Sequence, residues 1–204
     1  MGFSFLALGD SYTIGEMVLL HENFPTQTVQ LLAAEGIPLQ APRIIAKTGW
    51  TTDELDAAIH SASINEKYDF VSLLIGVNNQ YRGRSVSEYK IQFNDLLSKA
   101  ILFSGNRPKR VFVLSIPDWG ITPFAIERNR ASIAKEIDTF NAVAQECCIQ
   151  RHVVFIDITI AQRVDGGDPA FLAQDQLHPS GKEYTKWAVQ LANAIKKVLP
   201  HESN

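Results

Sequence analysis

The stretch Phe3-Ser4-Phe5-Leu6-Ala7-Leu8-Gly9-Asp10-Ser11-Tyr12-Thr13-Ile14-Gly15 begins as an apolar run and breaks at Gly9-Asp10-Ser11. From Phe5 to Leu8 the apolarity is continuous, without the every-second-residue alternation of a strand that faces water on one side. A strand of that kind is covered on both faces, which is the condition of a strand inside a parallel sheet. Its abrupt end in a serine-bearing turn raises the question of what that turn presents.

The same signal recurs along the chain. Short apolar runs at Arg43 to Ala46, Phe70 to Ile75, Arg110 to Ser115 and Val153 to Asp157 read as further strands, besides Phe3 to Leu8. Helix starts lie between them. Asn23-Phe24-Pro25 offers an N-cap followed by an early proline, with a stop near Gly36. Thr51-Thr52-Asp53-Glu54 and Ser85-Val86-Ser87-Glu88 match the capping box, in which hydroxyl and glutamate satisfy free backbone N–H groups reciprocally. Ser180-Gly181-Lys182-Glu183 opens a last helix whose Trp187, Leu191, Ala194, Ile195 and Val198 share one face.

Strand and helix in alternation predict an α/β fold of three layers, α/β/α: a parallel, flavodoxin-like sheet of about five strands with helices on both faces. No repeat, low-complexity tract or linker divides the chain, so residues 1–204 are expected to form one domain. In such sheets ligands bind beyond the carboxyl ends of the strands. The irregular stretches Gly76 to Arg84, Pro117 to about Glu127 and Thr159 to Pro179 all follow strands and are expected on that edge.

Composition narrows the function. Of 204 residues 46% are apolar and 20% charged, the balance of an ordinary globular chain. The formal net charge is −3 and no run of Lys and Arg could neutralise a series of phosphates, which argues against nucleic acid as a partner. Cys147 and Cys148 are adjacent in a predicted helix, where a mutual disulfide is geometrically disfavoured; they read as buried apolar groups. No stretch approaches the roughly 20 apolar residues that span a bilayer, and Phe3 to Leu8 is too short for a signal h-region, so a cytoplasmic location is expected. The remaining histidines, His21, His60, His152 and His201, show no ligand spacing; no metal and no cofactor is expected.

Four separated stretches follow the predicted strands: Gly9-Asp10-Ser11, Thr48-Gly49-Trp50, Gly76-Val77-Asn78-Asn79 and Asp175-Gln176-Leu177-His178-Pro179. Together they hold the parts of an acyl-transfer site. The hydroxyl of Ser11 needs a base, and His178 has the side chain suited to that near neutrality. Asp175, three residues earlier, can fix the imidazole tautomer. The charge that develops on an attacked carbonyl oxygen needs preorganised donors, for which the backbone N–H groups of Ser11 and Gly49 and the side-chain amide of Asn78 are candidates. By sequence alone Asn79 rivals Asn78. Asp10 is expected to accept loop N–H bonds and shape the turn. Trp50, Tyr81, Trp119 and Phe124 either line a pocket for acyl or leaving group or pack onto the sheet end.

Gly9 to Tyr12 (GDSY), Gly49, Gly76 to Asn79 (GVNN) and Asp175 to Pro179 (DQLHP) resemble, in order and over nearly the whole chain, the four blocks of the SGNH, or GDSL-type, hydrolase superfamily. The resemblance implies a flavodoxin-like sheet and hydrolysis of carboxylic esters without a metal. It also implies a Ser11–His178–Asp175 triad and an oxyanion hole of Ser11, Gly49 and Asn78. One departure stands out: the third block is more often Gly-x-Asn-Asp, and here Asn79 replaces the aspartate. Ser115 to Gly120 also looks similar to bacterial members of the group. The expected substrate is a small-molecule or glycan ester; deacetylation of a carbohydrate, or cleavage of a thioester or lysolipid, would use the same machinery. A non-catalytic binding module would be a different outcome, against which the complete Ser, His and Asp set argues.

Overall fold

A computed structural model describes residues 2–199. Five parallel strands, β1 (Phe5–Gly9), β2 (Arg43–Ala46), β3 (Phe70–Leu74), β4 (Val111–Leu114) and β5 (Val154–Ile156), form one sheet in the order β2-β1-β3-β4-β5. This is the flavodoxin-like order, and its direction reverses between β1 and β3. β1 is therefore an interior strand: its residues pair with Arg43 to Ala46 on one side and Phe70 to Leu74 on the other. Phe5, Leu6, Ala7 and Leu8 are all buried, and each large apolar side chain removed from water on both sheet faces contributes about 1.5–3 kcal/mol.

The helices are α1 (Ser11–Ile14), α2 (Phe24–Ala34), α3 (Thr52–Ser61), α4 (Val77–Tyr81), α5 (Val86–Phe103), α6 (Arg130–Gln150), α7 (Thr159–Asp165) and α8 (Gly181–Val198). α2 packs against α8, while α5 packs against both α3 and α6, which gives the two outer layers. The expected N-caps at Asn23 and Ser85 are present, accepting from Thr26 N–H at 2.9 Å and Glu88 N–H at 3.1 Å. At α3 the Thr51 N–H donates to Glu54 Oε2 at 2.9 Å, the glutamate half of the box. At α8 the local signal gives way to tertiary contacts: Ser180 donates to Ala170 O, and Glu183 is buried, accepting from Trp187 Nε1 at 3.0 Å.

Two stretches read as irregular contain helix. α4 spans only five residues, too few for a period to show. In α7 the pattern is inverted, with Ile160 68% and Val164 83% exposed while Thr159 and Gln162 are buried. No helix among the described residues is long and apolar enough to cross a membrane. Cys147 and Cys148 are buried and unbridged, and burial raises both thiols above their usual pKa, Cys148 to about 12.

The end of β1 sets the closest approach in the sheet. A Cβ on Gly9 would collide with the Thr13 hydroxyl and stand 2.5 Å from the backbone oxygen of Leu74. Gly9→Ala should therefore lower the stability by about 1–3 kcal/mol, the usual cost of overpacking. Urea unfolding checks this, with the midpoint expected to fall at unchanged m-value.

Candidate active site

The first turn is organised by Asp10. It caps α1 by accepting the Tyr12 N–H at 3.0 Å on Oδ1, which places Ser11 at the first helical position with its backbone N–H among the free donors of a helix start. Ser11 is 4% exposed and lines a cavity of about 210 Å³. Asp10 itself is fully buried, and that burial pushes its carboxyl up to about 7 despite the bond from the Tyr12 N–H.

Gly49 and Asn78 reach the same cavity from the loops after β2 and β3. Gly49 has φ +83°, a conformation that side-chain-bearing residues rarely adopt. Asn78 donates from Nδ2 to Trp50 O at 2.9 Å, and its other near partner, Asp10 Oδ2, lies at a long 3.5 Å. Asn79 is elsewhere. It is fully buried and bonds Thr52, accepting its N–H at 3.1 Å and donating to its hydroxyl at 2.7 Å. Of the two asparagines, Asn78 faces the cavity.

The last block is a self-contained turn. Asp175 Oδ1 accepts the N–H groups of Leu177 and His178 at 3.1 and 3.0 Å, and Oδ2 lies 2.5 Å from His178 Nδ1. Gln176 sits between them in the left-handed region at φ +57°, a strained conformation for a residue with a side chain. Partial burial pushes the Asp175 carboxyl up, but the bonds from the His178 ring and from the two backbone N–H groups outweigh it and hold the pKa below its usual value. An ionised Asp175 requires the imidazole proton on Nδ1, which leaves Nε2 with the lone pair. The Tyr12 ring packs against the imidazole with centroids 5.4 Å apart. Ser11 and His178 line the same cavity without a direct hydrogen bond between them, a spacing that in hydrolases often tightens only around substrate.

The rest of the wall is apolar. Tyr81, Trp119 and Phe124 stand edge to face, with ring centroids 5.3 Å apart for Tyr81–Trp119 and 6.1 Å for Trp119–Phe124. Trp119 is buried and donates from Nε1 to Gln80 Oε1 at 2.8 Å, and Gln80 in turn donates to Glu136 at 2.8 Å. Trp50 does not join them; its side chain packs against the core and only its carbonyl serves the site. Tyr12, Thr48, Val77 and Leu177 also line the cavity. The sequence assigned them no role, and their place in or next to the four stretches was the only signal. His21, His60 and His152 are exposed, and His201 lies outside the described residues. No group of three or more His, Cys, Asp or Glu side chains among the described residues is placed to hold a metal ion.

Comparison with known proteins gives the family. The model of the GDSL-like lipase/acylhydrolase family matches residues 7–186. An acetylxylan esterase from Geobacillus stearothermophilus is 25% identical over 186 residues, which cover 87% of this chain and 77% of that protein. Among solved structures, a lipase/acylhydrolase from Enterococcus faecalis superposes with a TM-score of 0.73 at 25% identity over 100% of both chains. The structure of an acetylxylan esterase from Geobacillus stearothermophilus gives a TM-score of 0.72 at 21% identity, covering 95% of this chain and 94% of the other. The family match runs from the first strand into the last helix and so takes in every loop that builds the cavity; the chain belongs to the GDSL-like lipase/acylhydrolase family and is a serine ester hydrolase.

Proposed function

We propose that Ser11 is the nucleophile of an ester hydrolysis that passes through an acyl-enzyme, with His178 as base and Asp175 as its orienter. One observation carries this reading above the others: His178, held through Nδ1 by Asp175 at 2.5 Å, shares a single cavity with Ser11, Gly49 and Asn78. Ser11 Oγ attacks the carbonyl carbon and gives its proton to His178 Nε2. The resulting oxyanion takes hydrogen bonds from the N–H groups of Ser11 and Gly49 and from the Asn78 amide. Collapse expels the alcohol, which leaves with the proton from His178. Water, deprotonated by the same imidazole, then attacks the acyl-enzyme; the acid departs and Ser11 recovers its proton. Asp10 takes no part in proton transfer and shapes the turn.

The group that stays covalently attached needs enclosure, while the alcohol needs a way out. Of the apolar lining residues, Val77 and Trp119 are buried, each 5% exposed, while Tyr81 and Phe124 are about half exposed. A short acyl group against Trp119 suits this shape. Acetate on a carbohydrate is a second reading, favoured by the likeness to the acetylxylan esterase; activity on an acetylated sugar panel that exceeds activity on acetyl aryl esters would establish it.

Fluorophosphonate treatment followed by mass mapping should modify Ser11 alone; an unmodified Ser11 in folded, ester-cleaving protein would refute the mechanism. Ser11→Ala should leave only residual turnover, and Asn78→Ala should cost about 10²–10³ in kcat, or roughly 3–4 kcal/mol. Trp119→Ala should shift kcat/KM from acetyl toward longer acyl esters, measured on a chain-length series with one leaving group.

The buried Asp10 generates a pH prediction. Its folded pKa of about 7 lies above the ordinary value of 3.8, so between those limits the folded state holds more protons than the unfolded. The associated stability is fully present below about pH 4 and falls as pH rises toward 7, with a slope of at most about 1.4 kcal/mol per pH unit. Asp10→Asn keeps an oxygen for the Tyr12 N–H and should flatten that slope in urea titrations from pH 4 to 8.

A further inference from the structure

The Gly49 turn has little of its own to hold it: the Trp50 N–H donates to Lys47 O at 3.2 Å, and the Thr48 hydroxyl donates to Glu16. Gly49 brings no side chain, it occupies a left-handed conformation, and Lys47 and Thr48 before it are exposed. The rest of its support comes from α4 and the residue that ends it. The Arg82 guanidinium donates to Gly49 O at 2.6 Å, Asn78 Nδ2 to Trp50 O at 2.9 Å, and Asn79 exchanges two bonds with Thr52 at 3.1 and 2.7 Å. Four hydrogen bonds thus tie residues 49–52 to residues 78–82. Arg82 is braced in turn by Glu54 at 3.3 Å, whose carboxylate also accepts the Thr51 N–H.

We propose that Asn79 and Arg82 are positioning residues that set the Gly49 N–H against the Asn78 amide, so that both meet one oxyanion. This rests on the reading of Gly49 and Asn78 as oxyanion donors. The donors sit on different segments, Gly49 in the turn after β2 and Asn78 on α4, and a displacement of a fraction of an ångström between them weakens the bonds that matter only in the transition state. The clamp also explains the asparagine at 79. Its Nδ2 donates to the Thr52 hydroxyl, which in turn donates a hydrogen bond to Gln92 Oε1, and Gln92 Nε2 donates onward to Glu88 at 3.1 Å. Each member of this chain has a defined donor and acceptor, and no second buried carboxylate is added behind the cavity beside Asp10.

The test measures kcat and KM on a short-chain aryl ester, together with the rate of Ser11 phosphonylation, in Arg82→Ala, Arg82→Lys, Asn79→Ala and Asn79→Asp. The Arg82 side chain is 43% exposed, so its variants keep the test open if Asn79→Ala does not fold. Arg82→Ala and folded Asn79→Ala should each lose about tenfold in kcat with KM changed by less than about twofold, and phosphonylation should slow in parallel. Arg82→Lys should recover most of the loss, because an ammonium can still reach Gly49 O. Asn79→Asp should also recover most of it, since its oxygen still accepts the Thr52 N–H and the Thr52 hydroxyl can turn to donate. Wild-type kcat and phosphonylation in Arg82→Ala and in folded Asn79→Ala, or a loss confined to KM, would overturn the proposal. Absence of Ser11 labelling in the wild-type protein would instead overturn the catalytic reading beneath it, before any variant is compared.

Discussion

Gly9 closes β1, an interior strand, against both neighbours at once, pairing with Ala46 of β2 and with Leu74 of β3. The backbone there has no room for a side chain, because Thr13 folds back over the glycine and the Leu74 carbonyl lies alongside. Three consequences follow from this one contact. The carboxyl ends of β1, β2 and β3 are held in register, the chain leaves β1 in a turn tight enough to start a helix at Ser11, and the loops carrying Gly49 and Asn78 emerge on either side of that turn. The position of the cavity at the reversal of strand order is thus a result of strand packing before any side-chain chemistry is considered.

The pieces of the site differ in how they are held. The Asp175–His178 turn is local: a carboxylate satisfies two backbone N–H groups within three residues and meets the imidazole with its other oxygen. Its distant partners are Tyr12, packed against the imidazole, and Phe124, whose N–H donates to Gln176 O at 3.4 Å. The loop 49–52 is the opposite case, with a glycine at its apex and its hydrogen bonds supplied from across the sheet by Asn78, Asn79 and Arg82. The aromatic wall belongs to the second kind, since the Trp119 indole is oriented by Gln80 and Gln80 by Glu136.

This difference governs what the chain revealed in advance. Strands were legible because burial on both faces demands continuous apolar residues, as in β3, whose five residues Phe70–Leu74 are all buried and lie within the expected run Phe70 to Ile75. The caps at Asn23 and Ser85 were legible because their bonds reach only three residues. α7 was not, because its polar residues face inward and its apolar ones face water, and α4 is shorter than two helical turns. Of the two readings open for Trp50, the structure takes packing against the core, and the residue serves the site as a carbonyl, which no residue type announces.

By itself the sequence determined the parallel α/β architecture, the family, and the four blocks that meet at the cavity, because periodicity, local turn chemistry and residue order are written along the chain. The tertiary structure alone decided which asparagine faces the cavity, what holds the Gly49 turn, and which rings form the wall. Those outcomes depend on contacts between residues 27 to 56 positions apart, such as Thr52 with Asn79 and Gln80 with Glu136. Such contacts exist only after the sheet has brought the loop ends together.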